Sequence, residues 1–141
     1  MVRGSCLCGG VQFEATKVPL IVLCHCSLCR KASGSAFEAG ALVAASDFEL
    51  RAGRDLVQSY ESSSGTQRCF CRVCGSRVPS ATADGKLYFV PAGLLDDDPA
   101  VKPSLHQFVH SKAPWWEITD QLPQFEKWVP GHAPTDPEST R

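Results

Sequence analysis

The sequence predicts a mainly β domain made of short strands. Three observations predict it. Apolar runs are broken by Gly, Pro, Ser or Asp every ~8–12 residues. Two runs, Val11-Gln12-Phe13-Glu14 and Leu87-Tyr88-Phe89-Val90, alternate from face to face, and no long window keeps a helical period. In chain order the strands are expected at 10–15, 20–24, 36–43, 48–52, 57–62, 67–70, 77–81, 87–93 and 105–109. The first carries the first alternating run. The next three are short apolar runs between breakers. The pair 57–62 and 67–70 flanks Ser63-Ser64-Gly65, and the pair 77–81 and 87–93 flanks Ala83-Asp84-Gly85-Lys86, both turn signals. The acidic run Asp96-Asp97-Asp98-Pro99 precedes the last strand and reads as a solvated turn rather than a cation site.

A chain of 141 residues fits one domain and can bury a core of ordinary size, so metal is not required merely because the protein is small. The net charge of -1 and pI of about 6.4 give no basic stripe, and no nucleic-acid partner is expected. No run approaches the ~20 apolar residues of a membrane helix. Met1-Val2-Arg3-Gly4-Ser5-Cys6 lacks the layout of a signal peptide, so a cytoplasmic protein with reduced thiols is expected. The segment 129–141, rich in Pro, Thr, Glu and Gly, reads as a loose tail behind a domain at 1–128.

Eight cysteines then need a reason. They fall in tight groups: Cys6 and Cys8; Cys24, Cys26 and Cys29; Cys69, Cys71 and Cys74. Neighbours one or two residues apart converge on one centre more readily than they bridge to distant partners, which favours metal over disulfides. Cys71-Arg72-Val73-Cys74-Gly75 has the pattern of a zinc knuckle, its glycine permitting a tight turn. Cys6-Leu7-Cys8-Gly9-Gly10 offers a second close pair. Together the two pairs make a closed four-thiolate site, which is structural because no coordination position remains.

Cys24-His25-Cys26-Ser27-Leu28-Cys29 is different, with three thiols and no local fourth. Three protein ligands and one exchangeable position is the layout of a catalytic zinc. Three thiolates on a dication leave about one net negative charge, so such a centre acidifies water poorly and suits a sulfur substrate better. A thiol held there becomes a thiolate nucleophile. Closure by Cys69, the cysteine left over, would make this a second structural site; a spare, buried thiol is the favoured reading of Cys69. His25, between two ligands, is read as a supporting or surface histidine rather than a ligand.

On these residues the sequence resembles the glutathione-dependent formaldehyde-activating (GFA) family, which includes centromere protein V. The matching stretches are Gly4-Ser5-Cys6-Leu7-Cys8-Gly9-Gly10-Val11, Cys24-His25-Cys26-Ser27-Leu28-Cys29-Arg30-Lys31, Ser33-Gly34-Ser35-Ala36-Phe37, Arg68 with Phe70-Cys71-Arg72-Val73-Cys74-Gly75-Ser76, Val90-Pro91-Ala92-Gly93, His106, and Ser111-Lys112-Ala113-Pro114-Trp115-Trp116. The resemblance runs from about Gly4 to Trp128. It implies a β-tent fold of short antiparallel sheets and two zinc ions per chain. One zinc falls on Cys6, Cys8, Cys71 and Cys74, the other on Cys24, Cys26 and Cys29. It implies a carbon–sulfur lyase activity of the kind that forms S-(hydroxymethyl)glutathione from glutathione and formaldehyde. Cys69 departs from the family pattern, where a non-cysteine usually stands.

The expected mechanism places a thiol such as glutathione at the Cys24/Cys26/Cys29 zinc, where its sulfur attacks a carbonyl carbon. Arg30, and less readily Lys31, is a candidate for a substrate carboxylate. Ser33 and Gly34 are candidates for a substrate-facing loop, although a plain turn is the simpler reading. His106 and His110 are candidate acid/base groups, although a satisfied, hydrogen-bonded histidine is the favoured reading of each, while Phe37, Phe70, Tyr88, Trp115 and Trp116 read as core or pocket wall. Arg68 is expected to pair with a carboxylate near the four-thiolate site. The alternatives are a non-catalytic module with two structural zincs, a zinc-ribbon nucleic-acid binder, and an enzyme of the same chemistry on a different thiol adduct.

Overall fold

The computed structural model describes residues 1–129; apart from Val129, the segment expected as a tail lies outside the described residues. Three β-sheets build a single small, mainly β domain. Strands β1 (Val2–Ser5), β2 (Gln12–Ala15) and β5 (Phe48–Ala52) form one, in the order β1-β2-β5. The largest joins β3 (Leu20–Cys24), β4 (Glu38–Ala44), β8 (Ser80–Ala81), β9 (Leu87–Pro91) and β10 (Pro103–Gln107) in the order β10-β3-β4-β9-β8. The hairpin β6 (Val57–Ser63) and β7 (Thr66–Cys71) is the third. The pairings are antiparallel, as expected, with one exception: β10 runs parallel to β3.

Strand chemistry follows position. β3 lies inside its sheet between β10 and β4, and its unbroken apolar run is buried along nearly its whole length, Ile21 packing into the main core and Cys24 into the three-cysteine cluster. Gly40 in β4 has no side chain because the Phe89 ring of the neighbouring β9 occupies that space: a Cβ there would come within 2.0 Å of it. The main core gathers Val2, Phe13, Ala15, Val18, Ile21, Ala41, Val43 and Val90 between the first two sheets. Burying these side chains contributes roughly 1.5–3 kcal/mol for each large one.

The strand pattern departs from expectation in three places. β1 precedes the first expected strand, and only Ser80–Ala81 of 77–81 pairs as a strand. A helix, α1 (Ser27–Ser33), stands where none was expected. It is too short to show a period. It is made by its ends: Cys26 caps it by accepting the Cys29 N–H on sulfur at 3.2 Å, and Gly34 closes it at φ 68°, donating its N–H to the Arg30 carbonyl at 2.8 Å.

The acidic run is an exposed bend, as expected, and its carboxylates are also tied to β1. Asp97 accepts from the Arg3 backbone N–H, Nε and Nη2, each at 2.9 Å. Asp96 accepts from Ser5 Oγ at 2.9 Å, and Asp98 from the Ala100 N–H at 2.8 Å. The run pins β1 in place one residue before Cys6.

Candidate metal centres

The first cluster is assembled from two turns. Cys6 follows β1, Cys71 ends β7, and Cys8 and Cys74 sit in the loops just beyond. Their four sulfurs lie within 4.8 Å of one another, with Cys6 to Cys8 at 3.5 Å and Cys8 to Cys71 at 3.8 Å. A tetrahedron with metal–sulfur bonds of about 2.3 Å has edges of about 3.8 Å, so the donor set fits thiolate-bound zinc. Gly75 takes φ 76° and donates its N–H to the Cys71 carbonyl at 2.8 Å, closing the knuckle. The two knuckles are tied together: the Leu7 N–H reaches Ser76 Oγ at 3.0 Å. Ser76, through its hydroxyl and then its backbone, pulls the Cys74 thiol down to about 5. The Val11 N–H points at Cys6 sulfur at 3.3 Å. Both contacts favour the thiolate form that metal needs.

The second cluster hangs between β3 and α1. Cys24 ends the strand, Cys26 caps the helix and Cys29 lies in its first turn; all three are buried, with sulfurs within 4.8 Å of one another. No fourth His, Cys, Asp or Glu ligand atom joins them among the described residues. Contacts with Cys24 and then Cys29 draw the Cys26 thiol down to about 2, against burial, while Cys24 and Cys26 push Cys29 far up. Three sulfurs this close and this buried cannot all be thiolates without a cation among them. Phe108, Leu28 and Trp128 pack around them. Phe108 takes a left-handed φ of 58° although it is 2% exposed, a strained conformation of the kind kept at functional sites.

Cys69 joins neither group. It packs, half-buried, against the apolar residues under the first cluster, and burial pushes its thiol up. His25 is fully buried: its Nε2 lies 2.7 Å from His106 Nδ1, and His106 Nε2 lies 2.9 Å from Asp120 Oδ2. Burial, then the nearby His106 and Lys112, lower His25 to about 4, so the ring is neutral at pH 7. His25 thus buttresses the loop between two cysteines. Its ring also meets Phe37 at 5.3 Å, and Phe37 meets Trp116 at 5.8 Å, an aromatic row leading out to the surface. Trp116 is half-exposed and Trp115 exposed, neither being core.

Arg30 Nε is buried without a partner among the described residues, whereas Lys31 is exposed. Ser33 and Gly34 serve the helix end. The Ser33 hydroxyl lies 3.4 Å from the Arg30 and Phe37 carbonyls, and the Gly34 N–H donates to the Arg30 carbonyl. His110 is an exposed surface residue joined to Ser111 at 3.0 Å.

Arg68 corrects another expectation. It sits at the three-cysteine cluster and not at the four-cysteine one: its Nη1 donates to Cys29 sulfur at 3.5 Å and lies 3.5 Å from Glu38 Oε2. Arg77 Nη1 approaches the other Glu38 oxygen at 3.1 Å. Glu38 is 4% exposed; burial raises its pKa, while Arg77 and then Arg68 oppose that shift. Sequence reasoning missed Glu38 and Arg77. The signal available for Glu38 was one acid opening an otherwise apolar strand, Glu38-Ala39-Gly40-Ala41-Leu42-Val43.

Fold and clusters together define a small β protein with two cysteine centres able to hold metal ions. The chain belongs to the GFA family: a family model described as glutathione-dependent formaldehyde-activating enzyme matches residues 1–111. It is 33% identical over 95 residues to a Schizosaccharomyces pombe protein named as an uncharacterized lyase, covering 66% of this chain and 67% of that one. A crystal structure of a Rhodobacter sphaeroides protein superposes with a TM-score of 0.58 at 24% identity, covering 70% of this chain and 92% of that one. That likeness supports the fold.

Proposed function

We propose that this chain is a zinc-dependent carbon–sulfur lyase-type enzyme that adds a small thiol, with glutathione as the first candidate, to formaldehyde or a related aldehyde. One observation carries the reading. The buried sulfurs of Cys24, Cys26 and Cys29 converge with no fourth protein ligand among the described residues. Family membership and the lyase-named relative support the reaction class. Cys6, Cys8, Cys71 and Cys74 would hold a structural zinc, and Cys24, Cys26 and Cys29 a second one.

Cys24, Cys26 and Cys29 would hold a zinc whose Lewis acidity would lower the pKa of a thiol substrate. The chain's residues do the rest. Arg30, with its unpartnered Nε, binds a substrate carboxylate. Phe37 and Trp116 form a wall along which the substrate body lies, and Phe108 and Leu28 keep water from the sulfurs. The thiol gives up its proton, its sulfur forms a bond to the carbonyl carbon, and the carbonyl π pair moves to oxygen, which takes a proton. The product is a hemithioacetal. The lyase direction reverses these steps, and a cytoplasmic setting suits a thiol substrate.

Exchange of label between formaldehyde and S-(hydroxymethyl)glutathione, followed by NMR at equilibrium, tests this. The zinc-loaded protein should accelerate exchange and Cys26→Ser should abolish the acceleration. Exchange at the uncatalysed rate with two zincs bound would leave a non-catalytic module.

A further inference from the structure

The centre at Cys24, Cys26 and Cys29 lies against a buried charge group that its expected chemistry does not by itself require. Arg68 reaches across from β7 to donate to Cys29 sulfur at 3.5 Å. Its Nε is fixed by Ser62 Oγ at 3.0 Å. Glu38, from the start of β4, lies between Arg68 and Arg77, at 3.5 and 3.1 Å. The side chains of Arg68 and Arg77 are only 15% and 14% exposed. Burying a guanidinium pair around one carboxylate is costly unless a further negative charge faces them. Two guanidiniums and one carboxylate leave one positive charge in excess. A zinc held by three thiolates carries one negative charge. The two balance.

We propose that Arg68, held by Glu38 and backed by Arg77, is the counter-charge of the three-thiolate centre and sets how firmly that centre keeps its metal and accepts a substrate thiolate. The proposal rests on reading this cluster as a zinc centre. A fourth thiolate brings a second negative charge into a buried site, and without Arg68 both negative charges are uncompensated. Arg68 is therefore a positioning residue that acts through Cys29 and through the charge of the site. Arg77 touches Glu38 and serves to keep the carboxylate from taking all of Arg68's charge.

The test compares fully metal-loaded wild type, Arg68→Met, Arg68→Lys and the double variant Arg68→Met with Glu38→Gln. Zinc retention is read by competition with a chromophoric chelator. Thiol uptake is read on the cobalt-substituted proteins, as growth of the thiolate-to-cobalt charge-transfer band on titration with glutathione. Arg68→Met is expected to keep its four-thiolate metal, to release the second about 10–100-fold more readily, and to take up glutathione more weakly by a similar factor. Arg68→Lys should recover most of the loss. The double variant removes one charge of each sign, so it keeps the balance and leaves no unpaired buried carboxylate if the single variant folds poorly; it should retain zinc as the wild type does. Wild-type behaviour of Arg68→Met, or a double variant whose zinc retention does not recover, overturns the role of Arg68. A wild type that takes up only one zinc overturns the zinc reading of the cluster as well, which separates the two failures.

Discussion

The sulfurs of Cys8 and Cys71 lie 3.8 Å apart although 63 positions separate them. That contact joins the turn after β1 to the end of the β6–β7 hairpin, two parts of the chain that share no sheet. A metal held there would link them beyond the Leu7–Ser76 hydrogen bond, and its loss should be felt as stability rather than as chemistry.

Cys71→Ser is therefore expected to lower the thermal midpoint by at least about 10 °C, since structural zinc carries folding free energy and this site closes a long loop. Thermal melts with parallel zinc analysis check this. An unchanged midpoint would contradict a structural role for the cluster.

Cys26→Ser and Cys69→Ser should behave differently. Cys26 caps α1 and faces Cys24 and Cys29, whereas Cys69 belongs to neither sulfur group. The first substitution should remove one zinc per chain and the second none, by elemental analysis of reduced protein. Loss of a zinc with Cys69→Ser would mean that Cys69 moves to close the second site.

Arg30→Gln should raise KM about tenfold for a thiol that carries carboxylates, with kcat little changed, because it removes binding shared by ground and transition states. With a carboxylate-free thiol such as 2-mercaptoethanol the two proteins should be alike. An equal effect on both thiols would assign Arg30 to the fold.

Asp97 is held well below the usual carboxylate range, first by the Arg3 guanidinium and then by the Arg3 N–H. A carboxylate depressed in the folded state stabilises above its unfolded pKa of about 3.9, and that contribution is lost as pH falls through the folded value. Asp97→Asn should be less stable than wild type at pH 7, and the gap should close in strong acid. Urea melts of both proteins across this range give the result; a gap independent of pH would remove the ion pair as its cause.

Much of this site was legible in the chain itself. Tight cysteine spacing distinguished two centres because thiols a few residues apart in a turn readily converge on one place, and the turn signals with alternation marked most strands because a half-exposed strand must alternate. The structure puts the seven expected sulfurs in their two groups and leaves Cys69 out. What the sequence could not carry were relations among distant residues. Helix α1 is defined by a sulfur cap and a left-handed glycine, not by a period. The parallel partner of β3 comes from 103–107, and pairing direction leaves no local mark. The buried run from Arg77 through Glu38 and Arg68 to Cys29 joins α1, β4, β7 and the loop after β7. Whether a charged side chain there faces water or another charge is decided by which strands pack together, because burial sets the cost of a charge and only tertiary contacts supply its partner.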